Sequence, residues 1–251
     1  LGATSTDGCG TPTLSWKLSD GGTAFGPSPT HTFADDGSYT GQVKATDFRG
    51  NTTIKDFGLT IVNLAPVATA GPDTTAVWGV PVAFNGSGTD PGSADQSTLV
   101  YTWAFGDNTP SASGGPSTTH VYANAGDYPA TLTVCDKSNA CSSPSQRTIH
   151  ITTRSTTTAY TGVNHSLPNK AVAVSASVTD QLGKPVAGRN LKFTIGTQNV
   201  TATTGANGVA TSSIKLTQKN GTYTAKAELV LPVGDPRYTT SSNSISFVIG
   251  K

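Results

Sequence analysis

The chain has 251 residues, 12% of which are charged, and its formal net charge at pH 7 is +1. This composition lacks the basic surface that nucleic acids and anionic membranes require, so neither is an expected partner. No apolar run approaches the roughly 20 residues of a membrane-spanning helix, which argues against direct membrane insertion. Short alternating apolar patterns between clusters of Gly, Pro, Ser and Thr predict an all-β chain instead.

The first segment, residues 1–63, begins with a half-buried strand. Leu14, Trp16 and Leu18 alternate with polar residues and share one face of that strand, so Trp16 is expected in the core. The stretch "WKLSD" then ends at Asp20, where a carboxylate can accept hydrogen bonds from nearby backbone N–H groups. We therefore interpret Asp20 as a turn residue.

A second stretch of this segment, "HTFADDGSYTGQVKATD", begins at His31 and continues through Tyr39 into the next strand. Tyr39 follows a Gly turn, where the ring of a tyrosine corner can reach the core while its hydroxyl bonds to nearby backbone. His31 is predicted to make a structural hydrogen bond at the start of this stretch.

The second segment, residues 64–152, repeats the first at a constant offset of 120 − 31 = 89 residues. "HVYANAGDYPATLTVCD" aligns without a gap and supplies His120 and Tyr128. "WAFGD" supplies a core Trp103 and a turn carboxylate, Asp107. Because these residues recur at the same places, we interpret them as structural. No pattern supplies a nucleophile or an acid–base partner, so we expect a non-enzymatic chain.

The cysteines point to an oxidising compartment. Five residues separate Cys135 from Cys141 in "VCDKSNACS". A hairpin over them would bring the two Cα atoms within the roughly 4.4–6.8 Å that a disulfide needs, and such bonds persist in secreted proteins. Cys9 is left over: it pairs with residues outside this chain, pairs between molecules or remains a buried free thiol.

The motifs of both segments resemble the PKD repeat, an Ig-like β-sandwich of extracellular proteins. The family pattern runs W-x-F-G-D, H-x-Y-x-x-x-G-x-Y and L-x-V-x-D, which the second segment carries as "WAFGD", "HVYANAGDY" and "LTVCD". The first segment carries looser versions, "WKLSD", "HTFADDGSY" and "VKATD". The resemblance implies tandem Ig-like β-sandwiches.

The third segment, residues 153–251, has a different pattern of about seven strands. Asn207–Gly208 is a strong turn signal and predicts a hairpin of the strands on either side. "TDQLGKPVAG", "NGVA", "GTYTAKA" and "GDPRY" resemble the recurring motifs of bacterial Ig-like domains in surface and adhesin-type proteins. This resemblance implies a third β-sandwich and a bacterial source.

The first segment has few residues before its Trp. In the second segment, 103 − 64 = 39 residues precede Trp103, which is enough for two strands. Only 15 residues precede Trp16 in the first segment. A sandwich without those strands exposes a core face and strand edges. Three explanations are open: the segment belongs to a longer repeat array, residues 1–13 cover the gap, or a neighbouring molecule donates the strand.

Two features raise the question of a ligand. "NGSGTDPGSAD" offers Asn85, Asp90 and Asp95 as hard oxygen ligands for calcium. A polar, turn-rich loop explains the same residues, and we expect no cofactor. Trp78 lies outside the core Trp positions, so it is either a strand-packing residue or an exposed aromatic that binds polysaccharide.

Together these observations predict a non-catalytic part of a secreted or cell-surface protein that spaces, adheres or assembles. Its expected partners are surface proteins, polysaccharides or other copies of itself. Two alternatives remain: accessory domains that present a secreted hydrolase to polysaccharide or insoluble protein, and a fibre subunit built by strand donation. We assign no residue to catalysis or to a metal.

Overall fold

The structure, a computed structural model, describes residues 1–6 and 10–250, and strands dominate it throughout. The all-β prediction is confirmed. Cys9 lies outside the described residues. The division into three domains stays a prediction, and the described chain forms two compact units. One comprises residues 1–72, 83–120 and 129–148, and the other comprises residues 73–82, 121–128 and 149–251.

The first repeat (residues 1–63) folds as an antiparallel sheet in the order β2-β1-β3-β4. Its strands are β1 (Thr13–Leu18), β2 (Thr23–Phe25), β3 (Gly37–Thr46) and β4 (Thr52–Ile61). The alternation in the sequence sets the register, because Trp16 lies opposite Val43 and Leu14 lies opposite Ala45. These four side chains share one face of the sheet. We call it the apolar face.

The second repeat (residues 64–152) contains more strands before its Trp. All strands of this repeat, of which the first four precede Trp103, are β5 (Val67–Thr69), β6 (Thr74–Val77), β7 (Pro81–Asn85), β8 (Ser87–Thr89), β9 (Val100–Ala104), β10 (Ala112–Gly114), β11 (Ser117–Val121), β12 (Gly126–Cys135) and β13 (Ser145–Thr152). One sheet has the order β10-β9-β12-β13-β6, and β6 runs parallel to β13. Among the described residues, no helix is long and apolar enough to cross a membrane.

Aromatic rings fill the core of the second repeat. The ring of Phe84 lies 5.1 Å from that of Trp103 and 5.1 Å from that of Phe105, measured between centroids. Such pairs contribute about 0.5–1.5 kcal/mol beyond the area they bury. The Arg147 guanidinium lies 4.4 Å from the centre of the Phe84 ring and donates to the backbone oxygen of Ala83 at 3.0 Å. These contacts hold β7 against the sheet.

The third segment (residues 153–251) is a sandwich of two sheets, ordered β14-β16-β19 and β15-β21-β20-β17-β18. Its strands are β14 (Thr156–Tyr160), β15 (His165–Ser166), β16 (Ala171–Asp180), β17 (Asn190–Ile195), β18 (Gln198–Thr203), β19 (Val209–Lys215), β20 (Gly221–Val230) and β21 (Ser242–Ile249). Alternate residues of both sheets, such as Val174, Phe193 and Phe247, form one buried cluster. Hydrophobic burial across the two sheets therefore stabilises this segment.

The hairpin predicted at Asn207–Gly208 is wrong. The flanking strands lie in different sheets, because β18 pairs with β17 and β19 pairs with β16. The chain still turns there, and Gly208 N donates to Gly205 O at 2.9 Å. A Cβ at Gly208 would come within 2.6 Å of the backbone oxygen of Val178, so only glycine allows this approach to β16. Asn207–Gly208 therefore indicated the position of a turn, but it did not indicate which strands pair with each other.

Candidate functional site

Each repeat joins its turn carboxylate to its histidine. His31 Nε2 lies 2.5 Å from Asp20 Oδ2 in the first repeat, and His120 Nε2 lies 2.7 Å from Asp107 Oδ2 in the second. Sequence reasoning treated these residues singly and missed the pairing. The signal was available, because an Asp precedes a His by a similar distance in both copies.

The carboxylates of both pairs are held ionised. The hydrogen bond from the His31 side chain is the largest influence on Asp20, and it lowers the pKa of that carboxyl. For Asp107, burial raises the pKa, but hydrogen bonds from Thr109 and His120 outweigh burial and the net pKa is lowered. Both groups therefore act as hydrogen-bond acceptors at neutral pH.

The surroundings of these pairs fit a structural role. The His120 ring stacks on Phe105 with 4.0 Å between ring centroids, and the His31 ring meets Phe33 edge to face at 4.6 Å. The side chains of His120 and Asp107 are only 14% and 12% exposed. Acid–base catalysis needs an imidazole that a substrate can reach, whereas these rings are packed against aromatic neighbours.

Tyrosine hydroxyls fix a second recurring corner. Each donates to the backbone oxygen four residues earlier, at 3.0 Å for Tyr39, 3.0 Å for Tyr128 and 2.9 Å for Tyr223. Sequence reasoning missed Tyr223, although "GSY", "GDY" and "GTY" carry the same Gly-x-Tyr signal in the three segments. The corner is therefore common to the PKD-like repeats and the third segment.

A third recurring feature is a loop closed by an aspartate. The carboxylates of Asp47, Asp136 and Asp180 each accept the backbone N–H of the fourth residue on, at 2.8, 2.9 and 2.9 Å. Each Asp directly follows or ends a long strand, and its pKa is lowered in all three cases. For Asp136 and Asp180, hydrogen bonds to the carboxylate outweigh the raising effect of burial. These aspartates organise turns.

The predicted disulfide spans the loop of the second repeat. Cys135 and Cys141 are bonded and lie opposite each other at the end of the hairpin. In the first repeat Thr46 lies opposite Thr52 at the same place. The bond is therefore a local addition to a hairpin that both repeats share.

One acidic group of the first unit could hold a cation. Carboxylate oxygens of Asp35, Asp36 and Asp95 lie within 4.8 Å of one another. Lys137 Nζ lies 2.6 Å from Asp35 Oδ2 and 3.0 Å from Asp95 Oδ1, and these two carboxylates, Asp35 first, raise the pKa of the lysine. The ammonium group supplies the positive charge that the buried Asp95 requires.

Two of the three calcium candidates, Asp90 and Asp95, lie close together, because carboxylate oxygens of both approach Gly92. Asp95 is buried in the acidic group, whereas the Asn85 side chain is exposed at the end of β7. Asp90 Oδ1 accepts the backbone N–H of Gly92 at 2.8 Å, as expected of a turn residue. Sequence reasoning missed Lys137, Asp35 and Asp36, because nothing local links them to this loop.

In the second unit, Trp78 is packed among charged and aromatic side chains. The Arg154 guanidinium lies 4.2 Å from its ring centre, and the Tyr238 ring meets it edge to face at 5.3 Å. Its indole N–H donates to the backbone oxygen of Arg237. Arg154 also donates to Asp180 Oδ2 at 2.8 Å. These contacts commit Trp78 to packing, and the strongly exposed aromatic side chains are Phe25 and Phe48 among the described residues.

These sandwiches, with their tyrosine corners and Asp-closed loops, define the chain as a tandem array of Ig-like β-modules. The family model of the PKD domain matches residues 2–61 and 63–152, which together are more than half of the chain. The chain therefore belongs to the PKD domain family and contains two copies of that domain. The resemblance stated from the motifs is confirmed.

Several solved structures also match this chain at low sequence identity. A tetra-tandem repeat from the extending region of a large adhesion protein has 15% identity and a TM-score of 0.47, covering 95% of this chain and 67% of that one. The D00–D0 domain of intimin has 13% identity and a TM-score of 0.28, covering 73% and 99%. Fibronectin(III)-like modules of Clostridium thermocellum CbhA have 13% identity and a TM-score of 0.29, covering 73% and 92%.

Proposed function

We propose that this chain is a non-catalytic array of Ig-like modules in a bacterial secreted or cell-surface protein, where it spaces and presents neighbouring modules or adheres to surface partners. The observation that carries the proposal is the use of the recurring polar residues. The His–Asp pairs and the Tyr hydroxyls bond within their own repeat, and the loop aspartates accept backbone N–H groups of their own turns, so these residues build the modules rather than a reaction centre.

An extracellular location is part of the proposal, and the disulfide between Cys135 and Cys141 supports it. Antibodies raised against the chain test the location on cells that produce the protein. We expect them to label intact cells or to recover the protein from the medium. Labelling that requires permeabilised cells would contradict the proposal.

The partner class is tested separately. Purified chain is incubated with cellulose, chitin, collagen and immobilised surface proteins, and the bound fraction is measured. An adhesive role predicts saturable binding to at least one surface, whereas a pure spacer binds none. The accessory role in a hydrolase finds no support in Trp78, because that side chain is packed within the second unit.

A further inference from the structure

The turn before each tyrosine corner of the PKD repeats contacts a later part of the chain. In the first repeat this turn is residues 34–36, which we call the first corner turn. Its counterpart 89 positions later, residues 123–125, is the second corner turn. In both, the corner tyrosine donates its hydroxyl to the backbone oxygen of the middle residue. The two turns therefore have the same position in their repeats.

The first corner turn is met by the loop between β12 and β13, which the disulfide closes. Lys137 Nζ donates to Asp35 Oδ2 at 2.6 Å, and Ser138 Oγ donates to Asp36 Oδ1 at 3.2 Å. Both residues of the loop belong to the second repeat, and both acceptors belong to the first. Side chains of the loop and the turn therefore join the two repeats.

Two further bonds extend this contact. Ala94 N donates to the backbone oxygen of Ala34, in the turn, at 2.9 Å. Asn63, in the linker between the repeats, donates its amide to Asp136 Oδ2 at 2.9 Å. The linker is therefore fixed to the same loop that contacts the first corner turn.

The second corner turn is met by the loop between β20 and β21 of the third segment, which carries "GDPRY". Ala125 N donates to Pro236 O at 2.7 Å, and Arg237 Nε donates to Asn124 Oδ1 at 3.3 Å. Residues 121–128, which carry this turn, belong to the same compact unit as the third segment. The third segment thus contacts the second repeat where the second repeat contacts the first.

The two loops that make these contacts are also equivalent. Each follows the strand that carries the next tyrosine corner, because Tyr128 lies on β12 and Tyr223 lies on β20. Those strands pair with β13 and β21, so each loop connects two neighbouring strands. A carboxylate organises both loops: Asp136 accepts one backbone N–H of the first, and Asp235 accepts two of the second. The same turn therefore meets the same loop at both places.

We propose that the corner turn is the docking site through which a PKD repeat holds the next β-module of the chain, and that it accepts a loop with a basic side chain. Lys137 meets the carboxylate of Asp35, and Arg237 meets the amide oxygen of Asn124. Ammonium and guanidinium groups only donate hydrogen bonds, so an oxygen acceptor in the turn suits both. The inference goes beyond the proposed function, because freely hinged modules would also space or adhere.

Cleavage of the linker between the first and second repeats tests the first docking site. Val62 and Leu64 are exposed in this linker, whereas Asn63 is bound to the docked loop. When a protease cuts only an opened state, the cleavage rate follows the population of that state. The rate at which thermolysin cuts the folded chain before Leu64, measured by mass spectrometry, therefore reports how often the contact opens.

Asp35→Lys replaces the ion pair with a repulsion against Lys137 and should raise this rate about fivefold. Glu228→Lys is the control, because it does the same to Lys226 within the third segment and should leave the rate unchanged. The side chains of the two lysines are similarly exposed, at 38% for Lys137 and 39% for Lys226. Circular dichroism verifies that both variants remain folded. An unchanged rate in Asp35→Lys would overturn the proposal.

Variants on the docked loop separate docking from the folding of the first repeat. Ser138→Asp places a carboxylate against Asp36 and should also raise the rate about fivefold. Asn139→Asp places the same charge on the next residue of the loop, which is exposed, and should leave the rate near that of the parent chain. Equal rates in these two variants would overturn the proposal, because the loop would then not act through its contact with the turn.

Asn124→Asp tests the second docking site by giving it the acidic residue of the first. The contact with Arg237 then becomes an ion pair. The backbone N–H of the buried Arg154 donates to Arg237 O, so trypsin cleavage after Arg154 requires this loop to leave. We expect the cleavage rate to fall about threefold. A rate equal to or above that of the parent chain would contradict the equivalence of the two sites.

Discussion

The His120–Asp107 pair couples the stability of the second repeat to pH. The folded-state pKa of Asp107 is lowered, so its contribution is present above the unfolded pKa of about 4 and is lost as the pH falls through the lower folded value. We expect the melting temperature to decrease as the pH drops below about 4. Asp107→Asn should make the melting temperature less dependent on pH in this range. Melting curves between pH 2 and 7, scanned in roughly half-unit steps, measure it. A variant with the same acid dependence as the parent protein would refute this assignment.

The tyrosine corner of the second repeat makes a matched prediction. Tyr128→Phe removes only the hydroxyl that bonds to Asn124 O, and the ring remains stacked on Tyr122 at 4.3 Å. We expect a loss of about 1 kcal/mol, typical of one such hydrogen bond. Chemical denaturation measures the change. Tyr101→Phe, which removes a hydroxyl from β9, is the control. An equal loss of stability there would show that the corner hydrogen bond contributes no more than any other tyrosine hydroxyl.

The side chains that recur in the repeats were predictable, because two copies of one pattern indicate which residues the fold needs. Their partners were harder to predict. The Asp–His pairing required two loops to meet, and the Lys137 contacts with Asp35 and Asp95 join residues about a hundred and about forty positions apart. Local sequence patterns carry no information on such distances.

The β3–β4 hairpin of the first repeat should accept the disulfide that the second repeat contains. Thr46 and Thr52 lie directly opposite each other, at the positions of Cys135 and Cys141. Thr46→Cys with Thr52→Cys should form a bond that stabilises by about 2 kcal/mol, the value expected for so short a loop. Mass spectrometry verifies that the bond has formed. Denaturation with and without reductant measures how much the bond stabilises the chain. A bond that forms without any gain would contradict the equivalence of the hairpins.

Strands were predicted better than their partners. Alternating patterns correctly predicted β1, β9 and β12, because a strand that buries one face has apolar residues at every second position. The pattern around Asn207–Gly208 failed, since β18 and β19 each bury a face in a different sheet. The contact of the Phe57 ring on β4 with Trp16 was not predicted, because spacing along the sequence does not show which side chains meet across a sheet.

Trp78 should make the second unit unfold as one body. It joins residues near β6 to Arg154 and Tyr238 of the later chain. Trp78→Ala should destabilise this unit by about 2 kcal/mol and broaden or split its calorimetric transition, because a cation–π contact and an aromatic pair are lost. Phe48→Ala, which removes an exposed ring, is the control. A single unshifted transition in the Trp78 variant would show that the contacts do not couple these residues.

The parallel pairing of β6 with β13 also has a mechanical consequence for a chain under tension. When one strand is pulled from its start and its parallel neighbour from its end, the load acts along the strands, and the hydrogen bonds of the pair must break together rather than one by one. The second repeat has four residue pairs in this arrangement and the third segment has two, between β15 and β21. By this measure the second repeat should resist pulling better than the third segment, because twice as many residue pairs share the load.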